Sequence, residues 1–139
     1  MKKLACIMLL LIMAGLANAQ VYVLQISVSQ VESNQGNLLI GIFNDSKSFP
    51  KKGRAFRDLV VPARSPVSNV RVELPAGTYS VCVCHDSNAN GECDTNFLGY
   101  PSEAFGFSNN IRPVLSAPSF RETSIQLTKN ENIEIKLKR

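Results

Sequence analysis

Asn69-Val70-Arg71-Val72-Glu73-Leu74-Pro75-Ala76-Gly77-Thr78-Tyr79-Ser80-Val81-Cys82-Val83-Cys84-His85 decides the fold class. Val70, Val72 and Leu74 alternate with Asn69, Arg71 and Glu73, so one face of an extended chain is apolar and the other polar. Pro75-Ala76-Gly77 then turns the chain, because proline presets a turn and glycine relieves it. Thr78 to His85 resumes as a second strand, rich in β-branched and aromatic residues.

Working outward, the same period of two recurs and a helical period does not persist. Tyr22, Leu24, Ile26 and Val28 alternate with Val23, Gln25, Ser27 and Ser29 in a half-buried first strand. Asn34 to Asn37 supplies a turn. Leu38 to Phe43 is apolar on both faces, with Gly41 its one small residue, as expected of a central strand. A short strand is expected near Leu59 to Val61. Ile125 and Leu127, a polar turn at Lys129 to Asn132, and Ile133, Ile135 and Leu137 read as a C-terminal hairpin. The expectation is an all-β, antiparallel two-sheet sandwich of about seven strands with one long ordered loop.

Two stretches interrupt the alternation. Lys47 to Arg57 carries five basic residues with Phe49 and Phe56, and reads as a solvated connection with both aromatics tucked beneath it. Asp86 to Phe120 is too long for an ordinary connection. Phe97, Leu98, Tyr100, Phe105 and Phe107 give that stretch apolar anchors of its own, as a compact packed loop requires.

The chain has 139 residues and a formal charge of +4. Lys2 and Lys3, the apolar run Leu4 to Leu16, and Ala17-Asn18-Ala19 have the form of a signal peptide cut before Gln20. Residues 1–19 are then the export signal, and residues 20–139 a single domain that is periplasmic or secreted. Cys6 precedes most of the apolar run and so is not the lipidated residue that follows cleavage. Removing nineteen residues leaves 120, and a charge of +2 once Lys2 and Lys3 are gone. That mild surplus, without a basic stripe interleaved with aromatics, argues against nucleic acid. The apolar run is also too short to span a bilayer, so no transmembrane segment is expected after cleavage.

One stretch carries metal chemistry. Asp86-Ser87-Asn88-Ala89-Asn90-Gly91-Glu92-Cys93-Asp94 offers side-chain oxygens at positions one, three and five, a glycine for the bend at six, the Glu92 carbonyl at seven, and Asp94 at nine. Calcium suits this set, since it takes six to eight hard oxygens at flexible geometry. Position twelve is Phe97, so the usual closing glutamate is missing. Glu103 is the nearest substitute, with Asn96 a further donor. So few charges imply weak binding, with Kd of roughly 0.1–1 mM. The plainer alternative is an Asx-rich turn that satisfies its own amides.

Three cysteines remain after cleavage, an odd number in an oxidising compartment. Cys82 and Cys84 share a strand face, and either can reach Cys93 across the base of the loop. Such a bridge contributes about 2.5–3 kcal/mol in the chain-entropy model. Equally, all three can be small buried apolar residues. A zinc site from Cys82, Cys84, His85 and Cys93 fits poorly, because His85 faces the other way from Cys82 and Cys84.

His85-Asp86-Ser87-Asn88-Ala89-Asn90-Gly91-Glu92-Cys93-Asp94-Thr95-Asn96-Phe97-Leu98-Gly99-Tyr100-Pro101, followed by Gly106-Phe107-Ser108-Asn109-Asn110, resembles the bacterial domain-of-unknown-function family 2141. That family joins an HDxNxNGxxDTNxxGxPxE signature to GFSNN, after a PxGxY segment seen here as Pro75 to Tyr79. The resemblance implies an exported bacterial β-sandwich similar to transthyretin-like and immunoglobulin-like modules, with Asp86, Asn88, Asn90, Asp94 and Glu103 as its polar set. The three cysteines lie outside the pattern. The family has no established activity.

Catalysis finds little footing: one histidine, no nucleophile elbow and no phosphate loop. Cys84 and His85, as strand neighbours, face opposite ways. The expected function is therefore a non-catalytic exported binding or structural module of the cell envelope, whose loop, stabilised by Ca2+, faces an envelope protein or glycan. An enzyme or enzyme accessory acting on a small exported substrate is the alternative.

Overall fold

The computed structural model describes residues 19–139, and the expected export signal, with Cys6, lies outside these residues apart from Ala19. Eight strands form two facing sheets. In the first, β1 (Val21–Ser29) lies between β4 (Val67–Pro75) and β8 (Glu131–Lys136). In the second, β2 (Asn37–Phe43) lies between β3 (Arg57–Pro62) and β5 (Gly77–Asp86). The free edge of β5 is shared by two short strands. β6 (Phe105–Phe107) pairs with Cys82–Cys84, and β7 (Ser124–Leu127) with Gly77–Ser80. Every ladder is antiparallel except β1 with β8, which is parallel.

The alternating residues build the core. Leu24, Ile26 and Val28 of β1 face Ile40, Ile42, Val81 and Val83 across the sandwich, with Val70, Val72, Leu74 and Ile135 beside them. Because side chains alternate along a strand, Phe43 and Cys82 fall on the outer face of the second sheet. There Phe43, Phe49 and Phe107 form a second apolar cluster with Phe105 and Phe120 packed against it. Phe49 stacks edge-on to Phe43 at 5.3 Å between ring centroids. This second layer explains why β2 is apolar on both faces.

Pro75 to Tyr79 also has a physical account. The Tyr79 hydroxyl donates to the Pro75 carbonyl at 2.8 Å, closing the turn between β4 and β5. A side chain at Gly77 would press on the Tyr79 ring, so the glycine makes room for that bond.

Three expectations are corrected. β7 and β8 are not a hairpin: the turn between them crosses from one sheet to the other, and Asn130 fixes the crossing by accepting from the Val23 amide at 2.9 Å. The long connection after Asp86 contains β6, a 3-10 turn at Ser108–Asn110, and a single helical turn, α1 (Phe120–Thr123). α1 is held by a capping box between Ser119 and Glu122, and that pairing with the Ser119 hydroxyl lowers the Glu122 carboxyl below its ordinary value. Finally, Phe49 is buried under the Lys47–Arg57 connection, but Phe56 stays largely exposed and leans on Tyr79 at 5.9 Å.

Candidate functional site

β5 ends by delivering His85 and Asp86 to the rim of the sandwich, both buried. The loop that follows folds around the Asp86 carboxylate. Its oxygens accept from the Asn90 amide at 3.0 Å and the Gly91 amide at 2.8 Å. Two further Asx turns continue the coil: Asn88 Oδ1 accepts from Asn90 N–H, and Asn90 Oδ1 from Glu92 N–H. Gly91 takes φ of +81°, the left-handed region that glycine enters at no steric cost. The oxygens of positions one, three and five are thus all acceptors of the loop's own amides.

Glu103 bridges the two ends of the loop through hydrogen bonds. One carboxylate oxygen accepts from the Ser87 amide at 2.9 Å and the Ser87 hydroxyl at 3.0 Å, and the other from the Asp94 amide at 3.1 Å. It thus ties the two ends of the loop together from a buried position. Asp94 accepts the side-chain amides of Asn88 at 2.7 Å and Asn90 at 2.9 Å. Asp86, Asn88, Asn90, Asp94 and Glu103 are therefore brought together. The Glu92 side chain turns away, pairing with Lys52. Asn96 is also elsewhere: its side-chain oxygen accepts from the amides of Leu98 and Tyr100, closing the tight turn at the loop tip.

The cysteines are partitioned. Cys84 and Cys93 form a disulfide across the base of the loop, and Cys82 is a free thiol. Cys82 contacts the Gly41 carbonyl at 3.7 Å under the outer aromatic cluster, and burial pushes its thiol up to about 12. Glu103 lies within 4.8 Å of both bridged sulfurs, which as a disulfide offer no thiolate to a metal. His85 bonds the Gln35 carbonyl through Nε2 at 2.8 Å, which makes Nε2 the protonated nitrogen. Its buried Nδ1 has no protein partner among the described residues. The four members of the zinc alternative are thus not gathered on one centre.

Gly106 to Asn110 has a role that motif reading missed. A Cβ at Gly106 would lie 2.8 Å from Ile135 and 2.9 Å from the Lys136 carbonyl, so only glycine lets β6 approach β8. Ser108 Oγ accepts from the Val81 amide at 3.0 Å and donates to the Thr123 carbonyl. Asn109 donates to the carbonyls of Glu122 and Ser124, each at 3.0 Å. Asn110 donates to the Glu134 carbonyl at 3.0 Å and accepts from Lys136 N–H at 2.8 Å. Three consecutive polar side chains therefore sew β5, α1, β7 and β8 together. Their signal in the sequence was a run of short amide and hydroxyl residues directly after the apolar Phe105–Phe107 stretch.

Fold and loop together define a β-sandwich carrying a carboxylate-centred Asx loop at one rim and a polar staple beside it. A family model described as "Uncharacterized protein conserved in bacteria" matches residues 26–136, and the chain belongs to this family, domain-of-unknown-function family 2141. No curated protein and no solved structure matches the chain significantly. Among the described residues, no helix is long and apolar enough to cross a membrane.

Proposed function

We propose that this protein is a non-catalytic exported module of the bacterial cell envelope, periplasmic or secreted, whose loop from Asp86 to Glu103 is ordered by calcium and offers an apolar tip to another envelope component. One observation carries the reading. Asp86, Asp94 and Glu103 all bond groups of one loop, and among the described residues none of them has an ion-pair partner. Their charges are met by backbone amides, two Asn amides and the Ser87 hydroxyl, which leaves lone pairs free for a cation. A divalent ion with a hard-oxygen preference is the natural counter-charge for carboxylates that lack a cationic partner.

The reactive residue types are otherwise engaged, which supports the non-catalytic part. The one histidine is buried and tied to Gln35, the Cys82 thiol is held protonated, and Cys84 and Cys93 are bridged.

The bonds from Asn88 and Asn90 to Asp94 favour a second reading, in which the loop is complete without an ion and the protein is purely structural. Thermal melts with calcium or chelator separate the two. At calcium ten times above Kd the native state gains about 1.4 kcal/mol, a rise of a few degrees in Tm that Asp94→Asn removes. No shift at several millimolar calcium leaves the structural reading.

A further inference from the structure

The loop's apolar tip adjoins a larger feature through Tyr100. A groove of about 220 Å³ opens between the β6–β8 edge and the segment after Asn110. Its walls include Tyr100 and Phe105, whose rings meet edge-on at 5.5 Å. Its charged lining is Arg112, Lys136, Lys138 and Arg139, with no acidic residue. Arg139 pairs with Glu32 at 3.0 Å and Lys136 approaches Glu134 at 3.8 Å. Arg112 and Lys138 enter no ion pair among the described residues. Backbone bonds between Phe105 and Lys138, at 3.0 and 2.9 Å, fix the aromatic and cationic walls side by side.

Two apolar tips flank this groove. Phe97 and Leu98, 96% and 78% exposed, precede the groove residue Tyr100 in the turn closed by Asn96. Val114 and Leu115, 89% and 99% exposed, directly follow Pro113, which also lines it. Exposed apolar side chains are ordinary when scattered singly, and these four stand out because they come as two adjacent pairs beside one cationic groove. Three of these four are aliphatic, with no ring for a sugar to stack on. Protein interfaces deplete charged residues at their buried core, whereas here the cationic groove lies between the two tips.

We propose that this face docks on an anionic phospholipid surface, the two tips entering the acyl boundary while Arg112 and Lys138 take lipid phosphates in the groove. Interfacial binding joins these same two elements, apolar side chains that leave water and cations drawn to a negative leaflet. The proposal names the partner of the module suggested above but does not need the calcium ion.

The chain from Gln20, which holds every strand described, is sedimented with vesicles of phosphatidylcholine alone or with about one third phosphatidylglycerol, in calcium and in chelator. Binding is expected only to the anionic vesicles, and weaker at high salt. Since each cation near such a surface is worth about fivefold in affinity, Arg112→Gln with Lys138→Gln should weaken binding about twenty-fivefold. Phe97→Ser with Leu98→Ser should weaken it at least as much. The chain contains no tryptophan, so Leu98→Trp reports insertion as a blue-shifted emission, and Val60→Trp on β3, at the opposite edge of the sheet, should not shift. Binding that persists in chelator upholds this inference even if the calcium reading falls. No sedimentation at low salt in either condition, equal binding to neutral vesicles, or capture of an acidic glycan or protein without vesicle binding overturns it.

Discussion

The two halves of the family signature use the same short polar residues in opposite ways. From Asp86 to Asp94, Asn and Asp side chains bond partners two to six residues away, and the loop coils on itself. From Ser108 to Asn110 the partners lie 13 to 27 residues away, on other strands and on α1. A self-contained loop can open alone, whereas the staple fails only with the sandwich. Local structure with few long-range partners belongs to the low-stability end of a fold, where binding elements are found. The difference suits the staple to stability and, under the proposed function, the loop to binding.

Filling the closest approach in the staple should break it most severely. Gly106→Val places new methyl groups against Ile135 and the Lys136 carbonyl, and should cost about 3 kcal/mol as overpacking, read as a fall in the urea midpoint of the whole domain. Less than 0.5 kcal/mol would mean that β6 is free to move away from β8.

The disulfide comes next, because it ties the loop to β5, the strand that the staple also holds through Val81. Its removal by Cys93→Ser should cost about 2.5 kcal/mol, and protein unfolded without reductant should show one titratable thiol. That thiol, Cys82, also gives a pH dependence. Its folded value near 12 exceeds its ordinary value of 9.0, so the native state keeps a proton that the unfolded chain releases. The resulting stability is complete below pH 9 and declines as pH rises from 9 towards 12. Cys82→Ala should flatten the decline, and native Cys82 should resist alkylation at pH 8.

A paired comparison sharpens the contrast further. Asn110→Ala removes two long-range hydrogen bonds to the backbone of β8 and should cost about 1 kcal/mol. Asn88→Ala, measured in chelator, should cost less than about 0.5 kcal/mol, as exposed substitutions do. Equal costs would erase the distinction between staple and loop.

Much of this was legible in the chain. The alternation of β1, β4 and β5 gave the sandwich, since period two admits one buried face. It could not show which sheet a strand joins, because Ile133 and Ile135 alternate identically beside β7 or beside β1. β6 was hidden by its length, Phe105–Phe107 being too short to display a period. At the loop, Asp86, Asn88, Asn90 and Asp94 were readable from spacing because their contacts are local. Glu103 could only be nominated, and the cationic groove escaped notice because Arg112 and Lys138 meet through tertiary structure. Even so, Lys136 and Lys138 alternate on the last strand, which already placed two positive charges on one side of it.

The most direct measurement is amide hydrogen exchange across both regions, with calcium and with chelator. Calcium should slow exchange at Asn90, Gly91, Glu92 and Asp94, the amides that Asp86, Asn88, Asn90 and Glu103 hold, and leave Val81 and Lys136 at the staple unchanged. Loop amides unmoved at several millimolar calcium, or loop and staple slowing alike, would contradict the assignment of the loop as the cation site.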